Sequence, residues 1–579
     1  MGARLSGADG RRARVIVAVL AAFGVTAGVL TGCSQESPVP SIGYAIDNLI
    51  TTYNANTTAG ASSGALAAFG RTLTGLSYVG PLGGPVTDTD AGTATVVPGD
   101  ALTVQYRLNP DGVYSDGTPT TCDDLVLAWV ANSGRFLRSG DGGARLPMFD
   151  SADTAGYSDI DRVECQPGAK DATVVFRPGQ GFTEWQTLFS ATELMPAHIA
   201  ARAAGVDSVV TTVQAGDQQG LGRIADFWNT GWNLTPGQLD TALFPSSGPY
   251  RISSYSEDDG LVLVANERWW GNKPQTPRIV LWPKNFDIAA KVDDDAVQVI
   301  DIGAESVPGL DMKDFVTANV PSRNAEQLVL STGGVLANPE ARRALALCAP
   351  RTALFDQLGH PGFENARGLG SGVLNSRIVQ QDTLIYPPVA AGGAVFPGGD
   401  VPGAVDALGR AGVTNPTVRI GYLAPDDRRA KTVTAIADAC KPAGITVEDA
   451  SGPQFGPQEL RAGKVDAVLT GTASAPGTAG AAFDTDALNA LRGGSASNFG
   501  GFANPRYDAI VAQLGTDPSP DSQLNLSTEA ENLLWSELPS IPLFAQPRTI
   551  AFAQGLGAGV PNPTKAGTGW NMDRWVLKR

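Results

Sequence analysis

Alternating apolar and polar positions predict strands along most of the chain. Leu102 to Leu108 alternates with period two and reads as a strand, as does Asp171 to Phe176. The stretch Phe244 to Pro283 reads as three short strands. Gly248-Pro249 marks a turn, Asp259-Gly260 a hairpin, and Gly271 to Pro277 a third break. Ser41 to Asp47 is a candidate first strand. The polar loop Thr51 to Thr58 follows it, and then Ser62 to Leu76, whose apolar Leu66, Phe69, Leu73 and Leu76 recur at helical spacing. Further on, strands are predicted at Val418 to Tyr422, Ile445 to Val447 and Lys464 to Leu469. Helices are predicted at Asp406 to Gly412 and Lys431 to Cys440. This βαβ alternation predicts a mostly parallel sheet covered by helices.

At 579 residues the chain exceeds one ordinary core, so two or three domains are expected. An apolar content of 42% and a charged content of 17% fit a globular body. The formal charge of −16 argues against nucleic acid as a partner, and against adhesion to anionic lipid through a basic face. The N-terminus differs from the rest. Arg4, Arg11, Arg12 and Arg14 precede the apolar run Val15 to Val29, the order of a secretory signal. Leu30-Thr31-Gly32-Cys33 then resembles a bacterial lipobox, the other reading being a signal-anchor helix. The resemblance implies that Cys33 becomes an acylated mature N-terminus, where more than one acyl chain makes attachment stable. No other run of about 18 apolar residues is present. The expected location is therefore extracytoplasmic, on the outer face of the cell membrane, with a lipid anchor as the sole membrane contact.

Four further cysteines, Cys122, Cys165, Cys348 and Cys440, allow three pairings in an exported protein. Cys122–Cys165 and Cys348–Cys440 are favoured because each pair then lies within one predicted domain. No Cys-x-x-Cys occurs, and the two histidines, His198 and His360, are far from any cysteine in sequence, so no metal site or cofactor is expected. Asp293-Asp294-Asp295 reads as a solvated turn, and Asp123-Asp124 as helix-start carboxylates. Gly60-Ala61-Ser62-Ser63-Gly64 matches the nucleophile-elbow pattern, but a polar loop precedes the serine where a strand is required. A helix N-cap at Ser62 or Ser63 is the simpler reading.

Several blocks carry a family resemblance. One is Ser247-Gly248-Pro249-Tyr250, a hairpin, then Asn266-Glu267-Arg268-Trp269-Trp270-Gly271 and Lys273-Pro274. Another is Tyr114-Ser115-Asp116-Gly117-Thr118-Pro119 followed by Cys122-Asp123-Asp124-Leu125. Others are Asn338 to Arg351, Asn498 to Asp508 and Leu538 to Phe544. In this order they resemble family five of the extracytoplasmic solute-binding proteins, the peptide-binding group that serves ABC importers. The resemblance implies an α/β, two-lobed periplasmic-binding-protein-like fold (type II, cluster C-like) with an extra subdomain in the N-terminal lobe. The expected division is a signal peptide (1–32), a tether (33–40), lobe I (41–75, 200–283 and 540–579), an inserted subdomain (76–199) and lobe II (284–539).

The resemblance also implies cleft residues: Asn54, Asn56 and Thr57 in the loop after the first strand, Trp232, Thr472, and Asn498, Phe499 and Gly500. Peptide-binding members often hold the ligand α-amino group with an aspartate after the strand matching Lys464 to Leu469. The usual aromatic-rich wording is absent here, and Asp484 is the candidate, with Asp486 beside it. The implied function is capture of oligopeptides or peptide-like solutes by a monomer, for delivery to an ABC permease and ATPase complex, without enzymatic activity. Two alternatives stand: an exported serine-type hydrolase using Ser62, and a sensing or structural lipoprotein of this fold that does not transport.

Overall fold

The computed structural model describes residues 40–81, 83–140, 145–360, 368, 370–472 and 485–578. The statements below concern these residues. Cys33 with the lipobox-like residues before it, and Asp484, lie outside them.

The strand Ser41–Ile46, the first element among the described residues, sits inside a seven-stranded sheet. It pairs in parallel with Arg278–Trp282 on one side and with Val299–Gly303 on the other. Tyr250–Ser256 and Gly260–Ala265 extend one edge as an antiparallel hairpin. Arg548–Ala553 and Phe315–Thr317 close the other edge, also antiparallel. The three strands of Phe244 to Pro283 thus form as expected.

A second, five-stranded sheet is mixed. Thr417–Gly421 runs parallel to Thr446–Asp449 and to Ala467–Thr472. Ala325–Leu330 is antiparallel to Ala467–Thr472 and to Ser540–Ala545. The expected mostly parallel sheet is half right, because the βαβ unit is joined to Ala325–Leu330, which enters from the other lobe, and to Ser540–Ala545, which leaves for it.

These pairings shift the expected lobe boundaries. Val299–Gly303 and Phe315–Thr317 lie in the seven-stranded sheet although 284–539 was assigned to lobe II. The reason is burial: every residue of Val299–Gly303 is buried between Ser41–Ile46 and Arg548–Ala553. Conversely Ser540–Ala545, expected in lobe I, is an all-buried strand of the second sheet. The chain therefore passes between sheets after Thr317 and again at Gln546-Pro547. The two crossing segments lie side by side, with Gln546 N donating to Asn324 O at 2.8 Å.

A third sheet of four antiparallel strands (Gly92–Val97, Thr103–Leu108, Asp171–Phe176, Ile160–Glu164) packs with the helix Cys122–Asn132. Its apolar face, with Val104, Tyr106, Val174 and Phe176, belongs to the same continuous core as Ile42, Tyr44 and Leu281 of the seven-stranded sheet. The extra subdomain is thus fused to the first lobe rather than merely linked to it. The expected helix from Ser62 to Leu76 is broken into Thr58–Ala61 and Ala65–Phe69, with Gly64 and Gly70 at the ends of the second piece. At Gly75 any Cβ would fall about 2.0 Å from the Ser190 carbonyl carbon, so the chain passes too close there for a helical side chain.

Both favoured disulfides form, Cys122–Cys165 and Cys348–Cys440, spanning 43 and 92 residues. Cross-links over loops this long stabilise by roughly 4 kcal/mol each in the chain-entropy view. The C-terminal segment returns to the first lobe: Tyr44 packs edge-on against Trp575, and Thr276 Oγ1 donates to Trp575 O at 2.8 Å.

The helix Cys122–Asn132 starts with a capping box. Thr121 N donates to Asp124 Oδ2 at 2.9 Å, and the second Asp124 oxygen accepts Ala197 N at 2.9 Å. Burial nevertheless raises the Asp124 carboxyl from 3.8 to about 7. A carboxyl raised on folding takes up a proton when the chain folds. Its stabilising contribution is full below pH 3.8, is lost as pH rises towards 7, and is constant above. Urea unfolding from pH 4 to 7.5 should show this slope in the wild type and a flatter one in Asp124→Asn. Equal slopes would mean that Asp124 is ionised in the folded protein throughout.

Candidate ligand-binding cleft

Between the seven- and five-stranded sheets lies a cavity of about 300 Å³. Its walls are strand ends and the loops after them. The first lobe contributes Tyr44, Asp47, Ser62, Asp301 and Gly303, and the second contributes Gln327, Val329, Arg429, Thr470 and Gly471. Asn324 and Gln546, from the two crossing segments, line it as well. Ligand sites in sheet-based α/β proteins commonly form beyond strand ends, where helices and loops diverge.

The charges at this wall are held by other protein groups. Asp47, one residue past the first strand, accepts Lys284 Nζ at 2.7 Å and Gly303 N at 2.8 Å. Lys284 also lies 3.6 Å from Asp426, the N-cap of the helix Asp427–Cys440 on the second lobe. From the first turn of that helix, Arg428 and Arg429 both bond Glu326, at 3.1 and 2.8 Å. Arg428 Nε reaches back to Ala304 O in the first lobe at 3.3 Å. Three cations and three carboxylates therefore join the lobes beside the cavity. Burial pushes the Glu326 carboxyl up, but Arg428 and then Arg429 outweigh it and hold it below its ordinary value. Burial likewise opposes the charge of Asp47, and Lys284 outweighs it, so that this carboxyl is also lowered.

A second pair sits deeper. Asp301 is the middle residue of the buried strand Val299–Gly303. It accepts Arg548 Nε at 3.0 Å, a second bond from Arg548 Nη2, and Thr568 N at 2.7 Å. Arg377 bonds Glu531 at 2.5 Å, with both side chains nearly inaccessible. Trp535 lies under the Arg377 guanidinium at 4.2 Å.

The sequence-derived site residues divide sharply. Phe499 lines the cavity, with the Arg461 guanidinium 5.1 Å from its ring centroid. Asn56 lines an adjoining chamber of about 200 Å³, which shares Ala61, Ala152, Asp153 and Lys565 with the first. Asn54 is fully buried and does structural work: its Nδ2 donates to Trp228 O, and its Oδ1 accepts Asn56 N and Nδ2. Thr57 caps the helix Thr58–Ala61. Trp232 is fully buried and donates to Leu243 O at 2.9 Å. Asn498 staples its own loop through Arg492 O, Phe502 O and Phe502 N. Gly500 accepts both Thr332 N and Thr332 Oγ1, and a Cβ there would meet Leu330 O. Thr472 ends the strand Ala467–Thr472, opposite Ala325.

The polar loop after the first strand borders the two chambers through Thr58 and Asn56, but most of its side chains serve the loop itself. Sequence reading missed Asp47, Asp301, Arg429, Gln546 and Arg548. One signal was available: Arg428 and Arg429 occupy a helix first turn, where cations oppose the helix dipole unless something else holds them.

Ser62 is no elbow nucleophile. It follows the helix Thr58–Ala61, and its Oγ donates to Thr58 O at 2.9 Å. Among the described residues no histidine lines the cavity. His198 bonds Asp116 at 2.9 Å, and His360 packs on Phe355.

Comparison with known proteins agrees with this architecture. An uncharacterized lipoprotein of Mycobacterium tuberculosis is 42% identical over 561 residues, 96% of each chain. The oligopeptide-binding protein OppA of the same species is 25% identical over 518 residues, covering 83% of this chain and 75% of that one. Among solved structures, the periplasmic EDTA-binding protein EppA superposes with a TM-score of 0.72 at 21% identity, covering 96% of this chain and all of that one. The oligopeptide-binding protein AppA of Bacillus subtilis, in complex with a nonapeptide, gives 0.71 at 12% identity, covering 94% of this chain and all of that one. These neighbours share the two-lobed fold. The model for bacterial extracellular solute-binding proteins, family 5 (middle region), matches residues 92–490, more than half of the sequence, and the chain belongs to that family.

Proposed function

We propose that this protein captures a compact peptide or peptide-like solute between its lobes and passes it to an ABC permease with its ATPase. It does so as a monomer held to the outer face of the cell membrane by acyl chains on Cys33. The observation that carries this reading is the cavity between the two sheets, walled by both lobes and flanked by the two segments that join them. Such a joint permits hinge closure around a ligand. Family membership, a lipoprotein relative and the OppA relative support it.

A volume of about 300 Å³ lies at the lower end of ligand sites, which favours small solutes over long peptides. A non-peptide solute is the second reading, favoured by that same volume and by the EDTA-binding and agropinic-acid-binding neighbours. Catalysis by Ser62 finds no support, since its hydroxyl is committed to Thr58 O.

Thermal unfolding in the presence of di- to pentapeptide pools tests the reading. Ligand at 100 times Kd stabilises the folded state by about 2.7 kcal/mol, so a clear rise in Tm is expected. No rise with any pool, while a non-peptide extract fraction gives one, would favour the second reading.

A further inference from the structure

The joint end of the cavity carries hydrogen-bond donors that no group among the described residues uses. Arg429 bonds through Nε alone, to Glu326, so among the described residues its Nη1 and Nη2 make no hydrogen bond. Arg548 directs Nε and Nη2 to Asp301 and leaves Nη1. The Gln546 side-chain amide makes no hydrogen bond among the described residues. It lies against Gly471, where a Cβ would stand 3.0 Å from its Oε1, and near Gly303, where a Cβ would stand 3.7 Å from its Nε2. All three side chains line the cavity, and the two arginine side chains are only 11% and 12% exposed. Asn324 lies beside them, bonded through its backbone to Gln546 N, with a buried Oδ1 that has no partner.

We infer that this corner is a carboxylate subsite, formed by Arg429, Arg548 and Gln546. The inference rests on the solute-binding reading above and narrows its ligand to an acid. Guanidinium N–H groups held in a fixed fork suit the planar, two-oxygen geometry of a carboxylate, and charge-assisted bonds of this kind are the strong ones. The neighbouring acids do not compete for these donors. Asp301 is taken by Arg548 and Thr568 N, Asp47 by Lys284 and Gly303 N, and Glu326 by both helix arginines. Counted with these partners the corner is close to neutral, so recognition comes from directed N–H groups rather than from net charge. Asn324 Oδ1 is the complementary acceptor, and it suits an N–H one or two bonds from the acid, as in a peptide C-terminal residue. The corner spans both crossing segments and both lobes, so an acid bound there favours the closed arrangement.

Titration calorimetry on the soluble chain tests this with three probes: a pool of free tripeptides, the same pool C-terminally amidated, and EDTA. Residues 38–579 form one compact unit, so the chain can be studied without its anchor. At least one free acid should bind, and free tripeptides, if they bind, should do so about 10- to 100-fold more tightly than amidated ones. Gln546→Glu should weaken the free acid by a similar factor, because a carboxylate there repels it. Arg429→Lys keeps the charge facing Glu326 but removes the fork, and should weaken the acid about tenfold. Binding of EDTA without peptides would support the subsite while removing the peptide part of the functional reading. Amidated peptides binding as tightly as free ones would overturn the subsite and leave the solute-binding reading intact. Failure of both acids to bind would overturn the subsite as well.

Discussion

Glu326→Ala is expected to cost about 3–5 kcal/mol of folding stability, the range for removing one partner from a buried ion cluster. Glu326 is fully buried and is the carboxylate that both Arg428 and Arg429 bond. Without it, two guanidinium groups from one helix turn lose the carboxylate they share, and Asp426 is their remaining close counter-charge. Alanine also leaves a space that a guanidinium cannot fill without water. Urea unfolding at pH 7 measures the loss, and a cost below about 1 kcal/mol would show that Asp426 suffices. The pH dependence has a definite sign. The folded Glu326 carboxyl titrates below its ordinary value of 4.5. Its contribution is therefore complete above pH 4.5 and is lost as pH falls through the lowered folded value. The gap between wild type and Glu326→Gln should narrow on acidification below pH 4.5.

Gly471→Phe is expected to abolish solute binding, weakening it at least about 100-fold, while leaving the fold in place. Gly471 is in the strand Ala467–Thr472 and lines the cavity. Its backbone needs no glycine, and the nearest atom to an added Cβ is the end of the Gln546 side chain, 3.0 Å away, which can turn aside. A benzyl group there occupies the space in front of Gln546. Displacing even one or two charge-assisted bonds and the contacts around them accounts for an effect of about 3 kcal/mol, which is over 100-fold. The measurement is Kd by calorimetry alongside the unfolding midpoint. Binding within threefold of wild type would place the ligand elsewhere in the cleft.

Fold and site were legible in the sequence to different degrees. The strands of Phe244 to Pro283 could be read because turn chemistry at Gly248-Pro249 and Asp259-Gly260 is local. The lobe boundary could not. Whether Val299–Gly303 sits beside the first strand or beside Ala325–Leu330 is decided by partners far away in sequence, and both environments favour the same apolar wording. Polar residues in the loop after the first strand were read as ligand contacts, yet Asn54 and Thr57 spend their side chains on Trp228 O and Gly60 N. Short polar side chains in tight loops commonly bond their own backbone, and sequence alone does not separate the two uses. Asp47, Asp301 and Arg548 were overlooked because each is a single charge within or beside an apolar strand. Their meaning appears only when the strands Val299–Gly303 and Arg548–Ala553 are seen to be paired. The disulfides were the easier case, since four cysteines in two regions leave few pairings to consider.

The most direct test of the central claim, that the cleft holds a small solute, is native mass spectrometry of the soluble chain purified without Cys33, before and after mild denaturation and refolding. Freshly purified protein should carry additional mass that refolding removes, and the released species should be small carboxylic acids, short peptides foremost. A protein that carries no extra mass and takes up none from peptide pools or cell extract would contradict it.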